Sequence, residues 1–531
     1  MSKITEVVYF HTKSKKLLFL DESKLPEGYL TCIVSHSRAK DIKVEVDTFS
    51  DPNNSNKEVK SHLLPNNFTD TVWDAVFRFL DTGLFNSTDP KIIDCLDFIG
   101  FQLPKLDYPT EFLFIKLEED WLREHLYELP DLGMSRLVKL TNDNQADLFK
   151  YVGRKQVLEY LGNAISLGCK RDIYDLNPKD VGTAYSSFTW LEMFNRVKKN
   201  IIPKDWALAG GSIVSMIFGD IVNDYDFFPI CNSSNNCEQV VLDQIRRCLK
   251  AVYDDNHHKH NDKSKFSRTK NSINITSKKQ VILRIYRSLA EVLIGFDLDS
   301  CCIGYYKGEI YMTKRFLHSM KYRVNMLDLS RCSTTMEYRL VKYARRGFDI
   351  YIPGIDYSLM RLDLINILRS TMKKPLCKFN SKTEGITIWP CRHKREAIVL
   401  KGLDIILLYY AGLRMNIKVS DYDPSDENNY TEKHPCPDDF PYILQSGRYY
   451  LGIPISIIMC NNIDAIFEIP EKYYTNGKFL LPQKIEFKTQ NPGEQICGSF
   501  HRVVINDPDN WYNGYFYNSD HTDIDEIIDN Q

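Results

Sequence analysis

The chain has 531 residues, 43% of them hydrophobic and 26% charged, an ordinary globular composition with room for roughly two to four domains of about 100–200 residues each. Its 68 lysines and arginines nearly balance 70 aspartates and glutamates, which excludes a chain-wide charge drive toward nucleic acid or membrane and leaves only local patches. No apolar run reaches the roughly 18 residues of a membrane span, and the N-terminal "MSKITEVVYFHTKSKKLLFL" is broken by lysines where a signal peptide needs an apolar core. A soluble intracellular protein, cytoplasmic or nuclear, is expected.

Taken in chain order, residues 1–104 predict a mixed first domain. "DIKVEVDTFSDPNNSNKEVKSH" predicts one strand and then a polar loop. "FTDTVWDAVFRFLDTGLF" then places Val72, Val76, Phe77 and Leu80 at helical spacing and stops at Gly83, and "PKIIDCLDFIGFQLP" gives a second helix through Ile92, Cys95, Leu96 and Ile99, closed by Gly100. Residues 105–200 predict a mainly helical connector, with "TEFLFIKLEEDWLREHLYEL" and "YSSFTWLEMFNRVKKN" carrying three- and four-residue apolar spacing between prolines at 104, 109, 130 and 178. A core domain over 201–357 follows, then an extension over 358–517 with short strand-like runs, then an acidic tail over 518–531 expected to be mobile. The 14 cysteines contain no CxxC pair and lack the secretory context of a disulfide framework. His257, His258 and His260 in "DDNHHKHNDK" have no cysteine nearby and predict a solvated loop.

The chemistry concentrates in "WALAGGSIVSMIFGDIVNDYDFFPI", residues 206–230. A short buried strand ends at Gly210 and Gly211, which let the backbone turn sharply and approach a ligand. Ser212 is placed to cap a helix with Ile213, Met216 and Ile217 on its apolar stripe, ended by Gly219. Free N–H groups and a hydroxyl at that point suit a phosphate. In the next strand Asp224 and Asp226 share one face, with Cα atoms about 7 Å apart. Carboxylates that close repel unless a cation lies between them, and hard oxygen ligands favour Mg²⁺ or Mn²⁺ with phosphates completing the shell. "EVLIGFDLDSCCIGYY" offers a third acid on a later strand, Asp297 by preference and Asp299 as the substitute, which would complete a two-metal site for in-line phosphoryl displacement. In "EYRLVKYARRGFDI" a helix would turn Leu340, Tyr343 and Ala344 inward and gather Arg339, Lys342 and Arg346 on a separate face. That face is either a triphosphate clamp or a solvated surface. Pro492-Gly493 in "NPGEQICGSF" predicts a structural turn.

The ordered set Gly211-Ser212, Asp224-x-Asp226 and Asp297 resembles the DNA polymerase β-like nucleotidyltransferase superfamily. The resemblance implies an α+β fold, a mixed sheet with flanking helices. It also implies Mg²⁺ or Mn²⁺ on Asp224, Asp226 and Asp297, and a nucleoside triphosphate held by Gly210, Gly211 and Ser212, with Arg339 and Lys342 beside them. Two metal ions would then support attack of an acceptor hydroxyl on the α-phosphate, with Asp297 helping to deprotonate the acceptor; RNA, protein and a small molecule all stay open as acceptors. A wider stretch, about 200–517, including "LDLSRCSTTMEYRLVKYARRGFDIYIPGID" and "FKTQNPGEQICGSFHRV" with Trp511, is similar to an uncharacterised family of fungi, protists and large DNA viruses whose members often carry ankyrin or BTB-type segments. The helix pair with "FLDTG" and "CLDFIG" resembles the latter half of a BTB/POZ domain, which implies oligomerisation or partner recruitment through residues 1–104. The alternative is a catalytically silent scaffold on the same fold. An open cleft between Ser212 and the acids would favour the enzyme, a filled one the scaffold.

Overall fold

The computed structural model describes residues 7–11, 17–21, 38–45 and 56–126, most of 130–161, 202–258 and 266–354, residue 195, and segments between 376 and 489. They divide into two compact units, Met1–Leu122 and Arg123–Gln531, of mixed α and β structure. Among the described residues no helix is long and apolar enough to cross a membrane.

In the first unit, strands β1 (Val7–His11), β2 (Leu17–Asp21), β3 (Arg38–Glu45) and β4 (Asn56–Leu63) form a sheet in the order β2-β1-β4-β3, with β1 and β4 parallel. The stretch expected to become a polar loop after one strand is corrected here: β4 pairs with β3 along its whole length. Its composition is polar, and the pairing comes from β1 and β3, partners that local periodicity does not reveal. Helices α1 (Asp70–Thr82) and α2 (Lys91–Phe98) fall where the apolar spacing predicts, α1 ending at Gly83. Trp73, Phe77, Phe79, Ile92, Cys95 and Leu96 form their core, joined by Phe114 and Leu117 from α3 (Thr110–His125). The first turns of the expected connector are therefore part of this unit.

The second unit adds β5 (Val138–Lys139), β6 (Trp206–Ala209), β7 (Tyr225–Pro229), β8 (Phe266–Arg268), β9 (Ser272–Asn274), β10 (Lys279–Ile282), β11 (Ile303–Tyr306) and β12 (Glu309–Met312). Helices α4 (Pro130–Arg136), α5 (Arg154–Leu161), α6 (Gly211–Ile217), α7 (Cys237–His258), α8 (Leu289–Gly295), α9 (Lys314–Tyr322) and α10 (Met336–Ala344) flank them. Further strands are β13 (Val324–Met326) and β14 (Asp349–Tyr351), a parallel pair, and β15 (Leu376–Asn380), β16 (Gly385–Trp389) and β17 (Ile398–Leu400), an antiparallel sheet. Beyond them lie β18 (Lys433–His434), β19 (Tyr442–Tyr450), β20 (Ile453–Cys460) and α11 (Ile463–Phe467). Among the described residues eleven strands make one mixed sheet, β18-β19-β20-β8-β9-β10-β7-β6-β11-β12-β5. The expected C-terminal extension thus supplies strands to the core sheet, through β20 pairing with β8. Buried Arg268 of β8 reinforces the junction by donating to the Ile466 carbonyl at 2.7 Å.

Two local expectations are corrected. His257 and His258 belong to the last turn of α7, not to a loop. Residues 289–301 are not a strand carrying alternating acids: α8 ends at Gly295, an extended link follows, and Asp299–Cys301 is a 3₁₀ turn leading into β11. Ser288 caps α8, its Oγ accepting from Glu291 N at 3.3 Å, and Glu291 Oε2 accepts from Arg287 N, just ahead of the cap, at 2.7 Å. Most of "YSSFTWLEMFNRVKKN", Gly219, His260, Pro492-Gly493, Trp511 and the acidic tail lie outside the described residues.

Candidate functional site

β6, β7 and β11 are adjacent, and a cleft opens at one end of them. β6 is buried throughout, and the chain turns at Gly210, whose φ of 82° and ψ of −143° suit a residue without Cβ. Its N–H donates to the Ile303 carbonyl at 3.0 Å, tying the turn to β11. Gly211 answers a different demand from the one expected. A Cβ there would lie 2.3 Å from the Tyr343 hydroxyl, so the space freed by this glycine is taken by Tyr343.

Ser212 also differs from expectation. Gly210 occupies the N-cap position of α6 and Ser212 sits inside the first turn, making no cap. Its Oγ is buried with no hydrogen-bond partner in the protein, and the residue lines the cleft. Leaving such a group unsatisfied costs about 1–3 kcal/mol, and Ser212 shares this state with several buried polar atoms outside the cleft, among them Ser300 Oγ.

Asp224 is exposed just ahead of β7, and Asp226 is half-buried within it; both line the cleft. β10 runs parallel to β7 with Gln280 opposite Asp226, and the Gln280 amide donates to Asp226 Oδ1. Burial pushes the Asp226 carboxyl up to about 6; the Gln280 hydrogen bond opposes this, the Asp224 charge adds to it, and Lys342 draws it back.

The structure separates the two candidates for third acid. Asp297, 5% exposed, lines the cleft and is paired with Arg339. Asp299 is fully buried away from it, accepting from Arg315 Nη1 at 2.9 Å and from the Met326 N–H at 2.7 Å. On α10, Leu340, Tyr343 and Ala344 are buried, while Arg339 and Lys342, with Arg346 just beyond the helix, line the cleft. All the predicted site residues, Gly210, Gly211, Ser212, Asp224, Asp226, Asp297, Arg339 and Lys342, therefore border one space.

Phe228, Phe296, Cys301 and Tyr343 complete its apolar wall and were not singled out as site residues from sequence. Burial pushes the Cys301 thiol up to about 11 and the Tyr343 hydroxyl well above its ordinary range, so neither brings charge at neutral pH. The "CC" at 301–302 was the available signal for the first; nothing in the local pattern marks the others.

The cleft measures about 150 Å³, below the roughly 300–1,000 Å³ usual for whole small-molecule ligands. Three carboxylates, Asp224, Asp226 and Asp297, face three cations, Arg339, Lys342 and Arg346. Among the described residues no group of three or more His, Cys, Asp and Glu is placed to hold a metal ion. Asp224 and Asp226 supply the hard oxygen atoms that a divalent cation takes, while the Asp297 carboxylate is paired with Arg339. A larger cavity of about 370 Å³, bordered by Asp205, Arg287, Tyr306 and Lys307, lies at the other end of the same strands and contains none of the predicted site residues.

Residues 185–323 match the family described as "Gabija anti-defense 2 family protein". That segment holds the turn at Gly210, Asp224, Asp226 and Asp297, whereas α10 with Arg339 and Lys342 lies beyond it. An uncharacterized protein of Acanthamoeba polyphaga mimivirus is 26% identical over 407 residues, covering 61% of this chain and 86% of that protein. No solved structure matches.

Proposed function

We propose that the cleft binds the phosphates of a nucleoside triphosphate together with Mg²⁺ or Mn²⁺, and transfers the nucleoside monophosphate to an acceptor hydroxyl. The observation that carries this reading is the convergence on one open cleft of Asp224, Asp226 and Asp297, three cationic side chains, and a buried Ser212 hydroxyl with no partner of its own. An open cleft between Ser212 and the acids is what an enzyme needs and a scaffold does not.

In this reading Asp224 and Asp226 hold the cation, which when bound would neutralise phosphate charge and polarise the phosphoryl group. Ser212 Oγ donates to a distal phosphate oxygen, and Lys342 and Arg346 balance phosphate charge. Asp297, once released from Arg339, takes the proton of the acceptor hydroxyl. The acceptor oxygen then bonds to the α-phosphorus, the bond to the β-phosphate oxygen breaks, and pyrophosphate leaves. We further propose that residues 1–104, whose mixed sheet and helix pair are compatible with a BTB/POZ-like domain, serve self-association.

A second reading is favoured by one observation, the pairing of Asp297 with Arg339. If that pair is permanent, the fold is a catalytically silent scaffold that acts by binding. The matched family's description, with its reference to anti-defense, is compatible with both readings. Isothermal titration with non-hydrolysable ATP and GTP analogues, with and without Mg²⁺, separates them. Metal-dependent binding that disappears in Asp224→Asn plus Asp226→Asn supports the transferase; absence of binding to any common triphosphate supports the scaffold.

A further inference from the structure

Arg339 stands where the acidic and basic halves of the cleft meet. Its guanidinium is paired with Asp297, whose side chain is 5% exposed, yet 34% of the Arg339 side chain remains exposed and borders the cleft. Lys342, one turn along α10, already acts electrostatically on Asp226. The two sets of charges are therefore intermixed, and any ligand meets both.

We propose that Arg339 is a positioning residue that makes the cleft take metal and phosphate together, by holding Asp297 until a phosphate arrives to exchange for it. The inference deepens the nucleotide-site reading and rests on it. A divalent cation entering alone meets carboxylates already balanced by Arg339, Lys342 and Arg346, and Asp297 is closed to it. A polyphosphate entering alone meets three carboxylates. When both enter, the guanidinium passes from carboxylate to phosphate, two groups its planar fork matches equally well. Asp297 is then not left as a buried unpaired charge, a costly state, because the cation replaces what it loses. The exposed flank of Arg339 gives the side chain room for the move. Asp299 shows the contrast, since both it and Arg315 are wholly buried and that pair has no ligand-facing side.

Linkage makes the proposal testable from both directions with the full chain and two simple probes, Mn²⁺ alone and inorganic tripolyphosphate in metal-free buffer. Arg339→Gln should bind Mn²⁺ at least about tenfold more tightly than the wild type, within the roughly 5–150-fold span usual for such coupling. Asp297→Asn, which removes the carboxylate charge paired with Arg339, should gain a comparable factor for metal-free tripolyphosphate. Arg339→Lys, keeping the charge, should stay within a few-fold of the wild type for Mn²⁺. A merely structural arginine predicts losses on substitution, never these gains. If neither variant gains affinity, while the wild type binds Mn²⁺ with a nucleotide analogue, the exchange is wrong and the nucleotide site stands. If the variants gain and no nucleotide binds, the nucleotide reading falls and the exchange is cut back to one between a metal ion and inorganic polyphosphate. If neither the gains nor nucleotide binding is seen, both fall.

Discussion

Asp297 and Asp299 are two residues apart and each is paired with an arginine, but the surroundings differ. Asp299 and Arg315 are both fully buried, and the pair is stitched in further by the Met326 N–H on the acid and the Phe296 carbonyl on Arg315 Nη2 at 2.8 Å. It joins the 3₁₀ turn before β11 to α9 and β13. Asp297 and Arg339 both border the cleft, the acid buried and the arginine about a third exposed. The same two residue types thus make a fixed joint in one place and an exchangeable contact in the other. What distinguishes them is access to a competing ligand, because a pair sealed from water has nothing else to bind.

That contrast can be broken most sharply at the sealed pair. Replacing Arg315 by methionine should leave Asp299 as an uncompensated buried charge and cost about 3–5 kcal/mol, read as a clear fall in the calorimetric melting temperature. Asp297→Asn should lower it by much less, since Arg339 can turn to water. Equal losses at both positions would erase the distinction.

On the cleft side, Asp226→Asn should abolish nucleotidyl transfer and weaken Mg²⁺-dependent binding of a nucleotide analogue by more than ~100-fold, because even the outer partners of a metal ligand are worth about 10–100-fold. Its melting temperature should stay within a few degrees of the wild type, since asparagine can still accept from Gln280. Surviving transfer activity would remove Asp226 from the site.

Gly211→Ala tests the packing of α6 against α10. Its Cβ would collide with the Tyr343 hydroxyl, an overpacking expected to cost about 1–3 kcal/mol. Adding Tyr343→Phe removes the colliding atom, so denaturant titration should find the double variant more stable than Gly211→Ala alone. Additive losses would mean that Tyr343 does not set the demand for glycine.

The smallest effect is one of pH. Burial raises Asp226 to about 6, above its ordinary value of 3.8. The folded chain therefore holds an extra proton between those pH values, and the stability it lends is present in full at low pH and lost as pH rises through 6. Metal-free wild type should lose melting temperature relative to Asp226→Asn between pH 5 and 7. Metal-dependent binding should move oppositely, weakening up to about tenfold per pH unit below 6 as the proton competes for the carboxylate. A flat profile for both would show that burial does not raise the Asp226 carboxyl.

Much of the site was legible because its parts are local. The turn at Gly210, the two acids spaced around Tyr225, and the helical spacing of Arg339 and Lys342 each depend on a few neighbouring residues whose backbone periodicity decides which way they face. Asp297 and Asp299 were not separable in that way. An alternating pattern reads equally as a strand or as an extended link entering a 3₁₀ turn, and the N-cap Ser288 with Glu291 three residues on is the local signal that announces α8. The polar strand β4 escaped for a related reason, its pairing being supplied by residues far away in the chain.

By itself, then, the order of residues determined which chemical groups are available and in which short elements they ride: carboxylates around β7, a glycine turn, a basic stripe on α10. Only the tertiary structure decided that Asp297 faces the cleft while Asp299 is sealed, that Gly211 makes room for Tyr343, and that Ser212 is left with an unanswered hydroxyl. Burial and partnership are properties of what lies across a space, and the groups that meet across this one come from residues as far apart as 210 and 346.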